Sequence, residues 1–446
     1  MQITLQLPEN VNKLLGKFNT ANSEIYIVGG AVRDLLMNRD VHDWDFATNL
    51  RPEEVQKLFS KNSFCNNEYG TVGVVYGEEV YEVTTFRTEQ DYDDARHPTK
   101  VAWGKTIQED LERRDLTINA IALKPSAGGI EIVDPFGGIR DLKNKIVKAV
   151  GKSEDRFAED ALRMMRTIRI ACQLEFEIDK DTIAGIRTNA GNISKISGER
   201  VRDELLKLLS TKRPDVGIVL LKETGLLEFI IPELLDGIGM EQRGHHIYDV
   251  WVHSLKALKA CDSSDAVTRL ATLLHDIGKP PTMKIQNGVR TFFNHEVVGS
   301  RIATKIGKRL KLSNEQLDQL FRLVRWHMFT VEETQTDSAV RRFIRNVSVP
   351  YLQEMISLRR SDRIGSGARE TSWRWKAFQE RLVEVQKQPF AIKDMKIDGK
   401  DVMEILEIKP GRKVGEVLAA IFAQVELDPK LNDREVLIEK IKEFKA

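Results

Sequence analysis

Residues 25–47, IYIVGGAVRDLLMNRDVHDWDFA, decide how the rest of the chain reads. A short apolar run, Ile25 to Val28, ends in Gly29-Gly30; a helical pattern follows through Leu36, and then comes Asp43-Trp44-Asp45-Phe46. Strand, glycine turn and helix start make the layout of a phosphate-cradling loop, because backbone N–H groups approach an anion only where no Cβ intervenes. Residues at i and i+2 share one face of a strand, so Asp43 and Asp45 stand side by side while Trp44 turns into the core. Two adjacent carboxylates repel each other, and a divalent cation relieves that repulsion. A phosphate binder beside paired aspartates reads as a Mg²⁺ site that activates a hydroxyl against a nucleoside triphosphate.

Working outward, residues 1–23 read as a strand or arm followed by an amphipathic helix bearing Val11, Leu14, Leu15 and Phe18. Pro52 opens a second helix with Val55, Leu58 and Phe59 on one face. Residues 70–75 and 80–86 alternate like two strands, the second carrying Glu82, a third carboxylate that either completes a metal site or stands on a solvated strand. Thr88 to Trp103 is charged, holds Pro98 and has little periodicity, so it reads as an exposed mobile loop. Arg113-Arg114-Asp115 leads into a buried strand; arginine forks suit triphosphate oxygens and Asp115 suits a ribose hydroxyl. Ser153 to Cys172 reads as one amphipathic helix with Ser153 as N-cap and Phe157, Ala161, Met164, Met165, Ile168 and Cys172 on its apolar face. Asp160, Arg163, Arg166 and Arg169 step by three across its exposed side, where arginines suit phosphate.

Composition sets outer bounds. A chain of 446 residues has room for about two to four domains. A net charge of +1 excludes a polycation, so any nucleic-acid surface has to be a local basic patch. Cys65, Cys172 and Cys261 form no CxxC and fit a reducing compartment. No apolar run approaches membrane-spanning length, and the opening MQITLQLPENVNKLL lacks a basic start followed by an apolar core. The expected location is cytoplasmic, with no membrane partner.

The string GGAVRD…HDWDFAT resembles the signature of the polymerase-β-like nucleotidyltransferases, in the branch of bacterial tRNA nucleotidyltransferases and poly(A) polymerases. RRD at 113–115 resembles that family's second motif, and EDALRMMRTIR, 159–169, its EDxxRxxR motif. The resemblance implies addition of the terminal CCA to tRNA from CTP and ATP, without a nucleic-acid template and with release of pyrophosphate. It implies that Gly30, Arg33, Arg114 and Asp115 bind nucleotide, that Asp43 and Asp45 are the catalytic Mg²⁺ ligands, that Asp160 and Arg163 read the base, and that Arg166 and Arg169 hold phosphate. A loop such as 88–103 implies an enzyme that adds the terminal adenosine, which leaves an A-adding specialist and a poly(A) polymerase as alternatives.

From Gly244 the texture changes, and histidines concentrate between 245 and 327 around the doublet in LLHDIGKP. His253, His275-Asp276, His295, His327 and Asp362 lie within helical pattern at spacings that converge on one metal cluster in a helical bundle. This set resembles the HD metal-dependent phosphohydrolases. The resemblance implies His253, His275, Asp276 and Asp362 as primary ligands of a divalent transition metal. His295 and His327 become additional ligands or substrate contacts, and the activity implied is that of a phosphatase or 2′,3′-cyclic phosphodiesterase. The expected architecture is α+β: a nucleotidyltransferase head with a small mixed sheet and helices (1–145), an all-α neck (146–240), an HD domain (241–370) and a helical, tRNA-binding tail (371–446).

Overall fold

Four apolar residues in a row, Ile25–Val28, are all buried, and both faces of the strand they form are covered. Ile25 and Ile27 pack with Val11, Leu14 and Phe18 of the helix Glu9–Thr20, whereas Tyr26 and Val28 pack with Phe86 and Leu111. A continuous apolar run is what a central strand needs, since it meets no water on either side. This strand, β1, lies inside a seven-stranded mixed sheet of order β3-β4-β5-β2-β1-β8-β9. The other members are β2 (Asp45–Thr48), β3 (Ser63–Cys65), β4 (Thr71–Tyr76), β5 (Glu79–Thr85), β8 (Ala122–Ser126) and β9 (Gly129–Val133). Within this sheet, among the described residues, only β2 and β5 pair in parallel. β6 (Arg87–Tyr92) and β7 (Pro98–Trp103) form a separate antiparallel ribbon.

The computed structural model describes residues 7–21, 23–65, 70–92, 98–126, 129–242, 247–329, 336–367, 373–386 and 392–445. The chain divides into two units, Met1–Leu235 with Arg309–Leu312, and Asp236–Lys308 with Ser313–Ala446. The first holds the sheet and a set of helices that includes Ser153–Glu159, Leu162–Leu174, Lys180–Asn189, Gly198–Leu209 and Pro214–Glu223. The second is mainly helical. Val250–Ala260, Ala266–Leu274, Asn314–Trp326 and Leu352–Gly365 carry or flank the histidines, and Gly399–Leu406, Arg412–Leu427 and Arg434–Lys442 pack around Val402, Ile421, Val425 and Leu437. Among the described residues no helix is long and apolar enough to cross a membrane.

Three local expectations are corrected. The segment 153–172 is two helices, broken at Asp160, whose backbone is extended (φ −139°, ψ 106°). The apolar spacing hid the break, because Phe157, Ala161, Met164 and Met165 are buried on both sides of it. Asp160 makes the break: its Oδ1 accepts from the Leu162 N–H at 3.0 Å, a local bond that competes with helical pairing. Ser153 lies inside its helix after Lys152, and its hydroxyl donates to the Asp181 carbonyl instead of capping. Second, Asp115 leads into a 3-10 turn, Thr117–Asn119, before β8 begins. Third, the described part of 88–103 is the β6–β7 ribbon, while residues 93–97 lie outside the described residues. Its ladder is made by backbone groups, which leave no hydropathy signal; Thr88, Tyr92, Thr99, Val101 and Trp103 were the strand-forming residues to weigh.

Candidate functional site

The register of three strands assembles the first site. Val28 on β1 lies opposite Asp45 on β2, and Asp45 lies opposite Glu82 on β5. Gly29 follows Val28 with φ +72°, a left-handed conformation that favours glycine. A Cβ there would stand 3.1 Å from Asp45 Oδ2 and 3.2 Å from Arg114 Nη1, so the corner, the acid and the guanidinium are immediate neighbours. Trp44 packs against the core, but it and the exposed Asp43 precede β2, which begins at Asp45, so the expected strand alternation of Asp43 and Asp45 is not what sets them. Burial pushes the Asp45 carboxyl up, and Glu82 and Asp43 add to the rise against the opposing pull of Arg114 and Arg166. Crowded, partly desolvated carboxylates are the donor set a hard divalent cation takes, so the residues fit Mg²⁺.

The arginines reach this corner from two directions. Arg33 is buried; Nη1 donates to Asn119 Oδ1 at 3.1 Å, and Nε and Nη2 hold Asp34 at 2.9 and 2.8 Å. Arg114 donates to Asp110 Oδ2. Asp115, also buried, accepts from Asn119 Nδ2 at 3.3 Å and pairs with Arg166 Nε at 2.7 Å. Burial alone would raise the Asp115 carboxyl, but the guanidiniums of Arg166 and Arg163 hold it below its ordinary value. Thus the corner beside the paired aspartates and the helix Leu162–Leu174 meet through the Asp115–Arg166 pair.

The base-reading candidates are not partnered as a helical i, i+3 ion pair. Asp160 Oδ2 takes Arg200 Nη2 at 3.0 Å, while Arg163 Nη1 goes to Glu159 at 2.6 Å and its Nη2 to the Arg113 carbonyl at 3.2 Å. Arg169 pairs with the buried Glu204 at 2.7 Å. Arg163 and Arg169 are therefore enclosed, and only Arg166, with half its side chain exposed, matches the expected solvent-facing ladder. Asp110, Asn119, Glu159, Arg200 and Glu204 escaped the sequence reading. Asp110 left a local trace, three and four residues before Arg113 and Arg114, and so did Glu159, four residues before Arg163.

The second site lies wholly in the other unit. His253, His275, Asp276, His295, His327 and Asp362 are all buried. His253 Nε2 is 3.0 Å from His275 Nε2 and 3.3 Å from both Asp276 Oδ2 and Asp362 Oδ1. On the other side of Asp276, Oδ1 faces His295 Nε2 at 3.4 Å and His327 Nε2 at 3.8 Å. Two ligand sets, His253–His275–Asp276 and Asp276–His295–His327, therefore share Asp276. Gly278 makes this possible: a Cβ there would meet the His295 carbonyl at 2.0 Å.

The tautomers follow from the partners. Nδ1 of His275, His295 and His327 contacts the carbonyls of Thr272, Phe292 and Val324 at 2.7, 2.9 and 2.8 Å. A carbonyl only accepts, so each Nδ1 carries hydrogen, and in the neutral ring the Nε2 lone pair points inward. His295 Nε2 and His327 Nε2 are buried with no hydrogen-bond donor toward them among the described residues. Lone pairs converging on a carboxylate demand a cation, and the site fits a divalent metal. The charges agree. Burial alone would lower His275, but Asp276 and Asp362 outweigh it and push the imidazole up to about 10. Burial and the neighbouring His275 push His327 down to about 3, a ring kept neutral as a ligand has to be. Lys279 Nζ holds Asp276 at 2.6 Å and Arg359 holds Asp362 Oδ2 at 2.6 Å. A cavity of about 540 Å³ opens over the cluster, with Lys279, Arg290, Arg359, Arg363 and Phe293 among its walls.

Fold and sites together define a nucleotidyltransferase that carries an HD domain. The profile of the poly(A) polymerase head domain matches residues 25–148, that of a "probable RNA and SrmB-binding site of polymerase A" residues 175–237, and that of the HD domain residues 243–363. The chain is 33% identical to the CCA-adding enzyme of Ligilactobacillus salivarius, over 99% of this chain and 98% of that one. It is 33% identical to that of Enterococcus faecalis, over 95% and 93%. The crystal structure of the Bacillus stearothermophilus CCA-adding enzyme in complex with CTP superposes with a TM-score of 0.72 at 29% identity, covering 98% of both chains. The chain belongs to the CCA-adding enzyme family.

Proposed function

We propose that this chain adds CCA to the 3′ end of tRNA, using CTP and ATP and releasing pyrophosphate. The observation that carries the reading is the meeting of the Asp45–Gly29–Arg114 corner with the helix bearing Arg163 and Arg166. Asp43 and Asp45 would hold Mg²⁺, which when bound lowers the pKa of the attacking 3′-hydroxyl and neutralises triphosphate charge. Gly30, Arg33 and Arg114 bind the triphosphate, and Asp115 accepts from the ribose. Asp160 and Arg163 choose the base: a carboxylate accepts from the exocyclic amine that cytosine and adenine share and uracil lacks, while the guanidinium donates to ring or carbonyl acceptors. Arg166 and Arg169 counter phosphate charge. The division of labour is a head at 1–145, a neck at 146–240, an HD domain at 241–370 and a tRNA-binding tail at 371–446, working in the cytoplasm.

In the HD domain, His253, His275, Asp276 and Asp362 would hold a divalent metal, with His295 and His327 completing a second ligand set through Asp276. A bound metal there supplies a water nucleophile at neutral pH. Lys279 and Arg359 orient the two carboxylates, and the basic residues of the cavity wall hold an anionic substrate. The expected second activity is that of a phosphatase or 2′,3′-cyclic phosphodiesterase.

The test is an extension assay with tRNA lacking its 3′ end, given CTP alone, ATP alone, then both. Two cytidines from CTP followed by one adenosine when ATP is present is the expected result. A long adenosine tail would turn the reading to a poly(A) polymerase, and growth only on tRNA already ending in CC to an A-adding enzyme.

A further inference from the structure

Asp110 is fully buried on the helix Ile107–Glu112, whose Ile107 and Leu111 share a core with Val28 and Phe86. A capping box fixes that helix: Glu109 N–H donates to Thr106 Oγ1 at 3.4 Å, and the Glu109 carboxylate accepts from the N–H groups of Thr106 and Lys105 at 3.3 and 2.6 Å. Both Asp110 oxygens face guanidiniums. Oδ1 accepts from Arg113 Nε and Nη2 at 3.1 and 2.7 Å, and Oδ2 from Arg114 Nε and Nη2 at 3.3 and 3.0 Å. Burial alone would raise this carboxyl, yet the two arginines hold it below its ordinary value. One anion thus holds two cations in place.

Each arginine leads to a different end of a bound nucleotide. Arg114 Nη1 reaches to 3.2 Å of the Cβ position of Gly29, at the acidic corner. The backbone carbonyl of Arg113 accepts from Arg163 Nη2 at 3.2 Å, on the helix that follows Asp160 and carries Arg163 of the proposed base-reading pair. We propose that Asp110 is a positioning residue that sets the placement of Arg114 against the triphosphate and, through the backbone of Arg113, of Arg163 against the base. This rests on the CCA-adding reading above. Asp110 touches neither substrate nor metal ligand in this account, so its loss acts on binding geometry and base choice, while the paired aspartates keep the turnover of bound nucleotide.

The experiment compares full-length wild type, Asp110→Asn and Asp110→Glu in the tRNA extension assay, with melting temperature recorded for each. Failure of the wild type to add CTP would count against the CCA-adding reading itself. With wild type active, Asp110→Asn is expected to raise KM for CTP and ATP roughly 10- to 100-fold, the scale of a misplacement of about 1 Å, with kcat changed much less. The preference for CTP over UTP in kcat/KM is expected to fall with it. Asp110→Glu keeps the charge but displaces it by a methylene; it is expected to fold, to raise KM less, and to lower the CTP preference. KM values within about twofold of wild type, or an undiminished CTP preference, in the folded variants would overturn the proposal. So would a loss confined to melting temperature.

Discussion

The two sites solve opposite electrostatic problems. In the first unit, arginines share acids near the Gly29 corner: Arg113 and Arg114 both hold Asp110, and Arg156 and Arg163 both hold Glu159. The clustered guanidiniums suit an anion, and the groups range from buried Asp110 to half-exposed Arg166. In the second unit, carboxylates and inward-facing imidazole lone pairs crowd a buried centre, a surplus that suits a cation. The first arrangement suits a charged substrate that arrives from solvent, and the second suits a metal beneath a cavity walled by both basic and acidic residues. The difference teaches that a cluster's ligand is read from the groups that crowd it, and the two sites should then fail independently.

The largest effect expected is from Asp45→Asn. Losing one of two paired carboxylates should lower nucleotide addition on the order of 10³-fold, about 4 kcal/mol of transition-state stabilisation. Metal content of the HD unit, measured by elemental analysis, should be unchanged. Next, His275→Ala should remove metal affinity by more than the roughly 10- to 100-fold cost of losing an outer-shell partner. It should abolish phosphodiesterase activity toward a 2′,3′-cyclic nucleotide and leave CCA addition intact. Joint loss of both activities would break the two-site comparison. The smallest effect concerns acid stability. Because the folded Asp110 carboxyl titrates below the ordinary value of 3.8, its ion pairs stabilise the fold above that pH, and the contribution is lost as pH falls through the lowered value. Melting temperature followed downward from about pH 5 should therefore fall less steeply in Asp110→Asn than in wild type. Equal slopes would mean that the pairs contribute nothing to folding.

Local features were legible in the sequence and long-range pairing was not. The strand–Gly-Gly–helix corner is written within 25–47 and the structure keeps it, whereas the strand that carries Asp45 begins at that residue, so the exposed Asp43 precedes it and does not alternate with Asp45 along a strand. Pro52 and Asp398 start their helices as residue chemistry dictates, Pro52 at the first turn and Asp398 by accepting from the Lys400 and Asp401 N–H groups. The Asp160 break was hidden because buried residues continue the helical spacing across it, and one side-chain bond to the backbone outweighs the pattern. The Asp115–Arg166 and Asp160–Arg200 pairs join residues far apart in the chain, and no local periodicity encodes them. The histidines advertised a metal centre, but the sharing of Asp276 between two sets depends on helix packing at Gly278 and is visible only in three dimensions.

The account's central claim is that one nucleotide bridges the acidic corner and the arginine-bearing helix. A crystal structure of the full chain with CTP and Mg²⁺ tests it most directly. The triphosphate should lie within hydrogen-bond reach of Arg114 beside Asp43 and Asp45, with the cytosine amine on Asp160 and its carbonyl side on Arg163. CTP ordered with its base away from Asp160 and Arg163, or held in the HD cavity alone, would contradict the account.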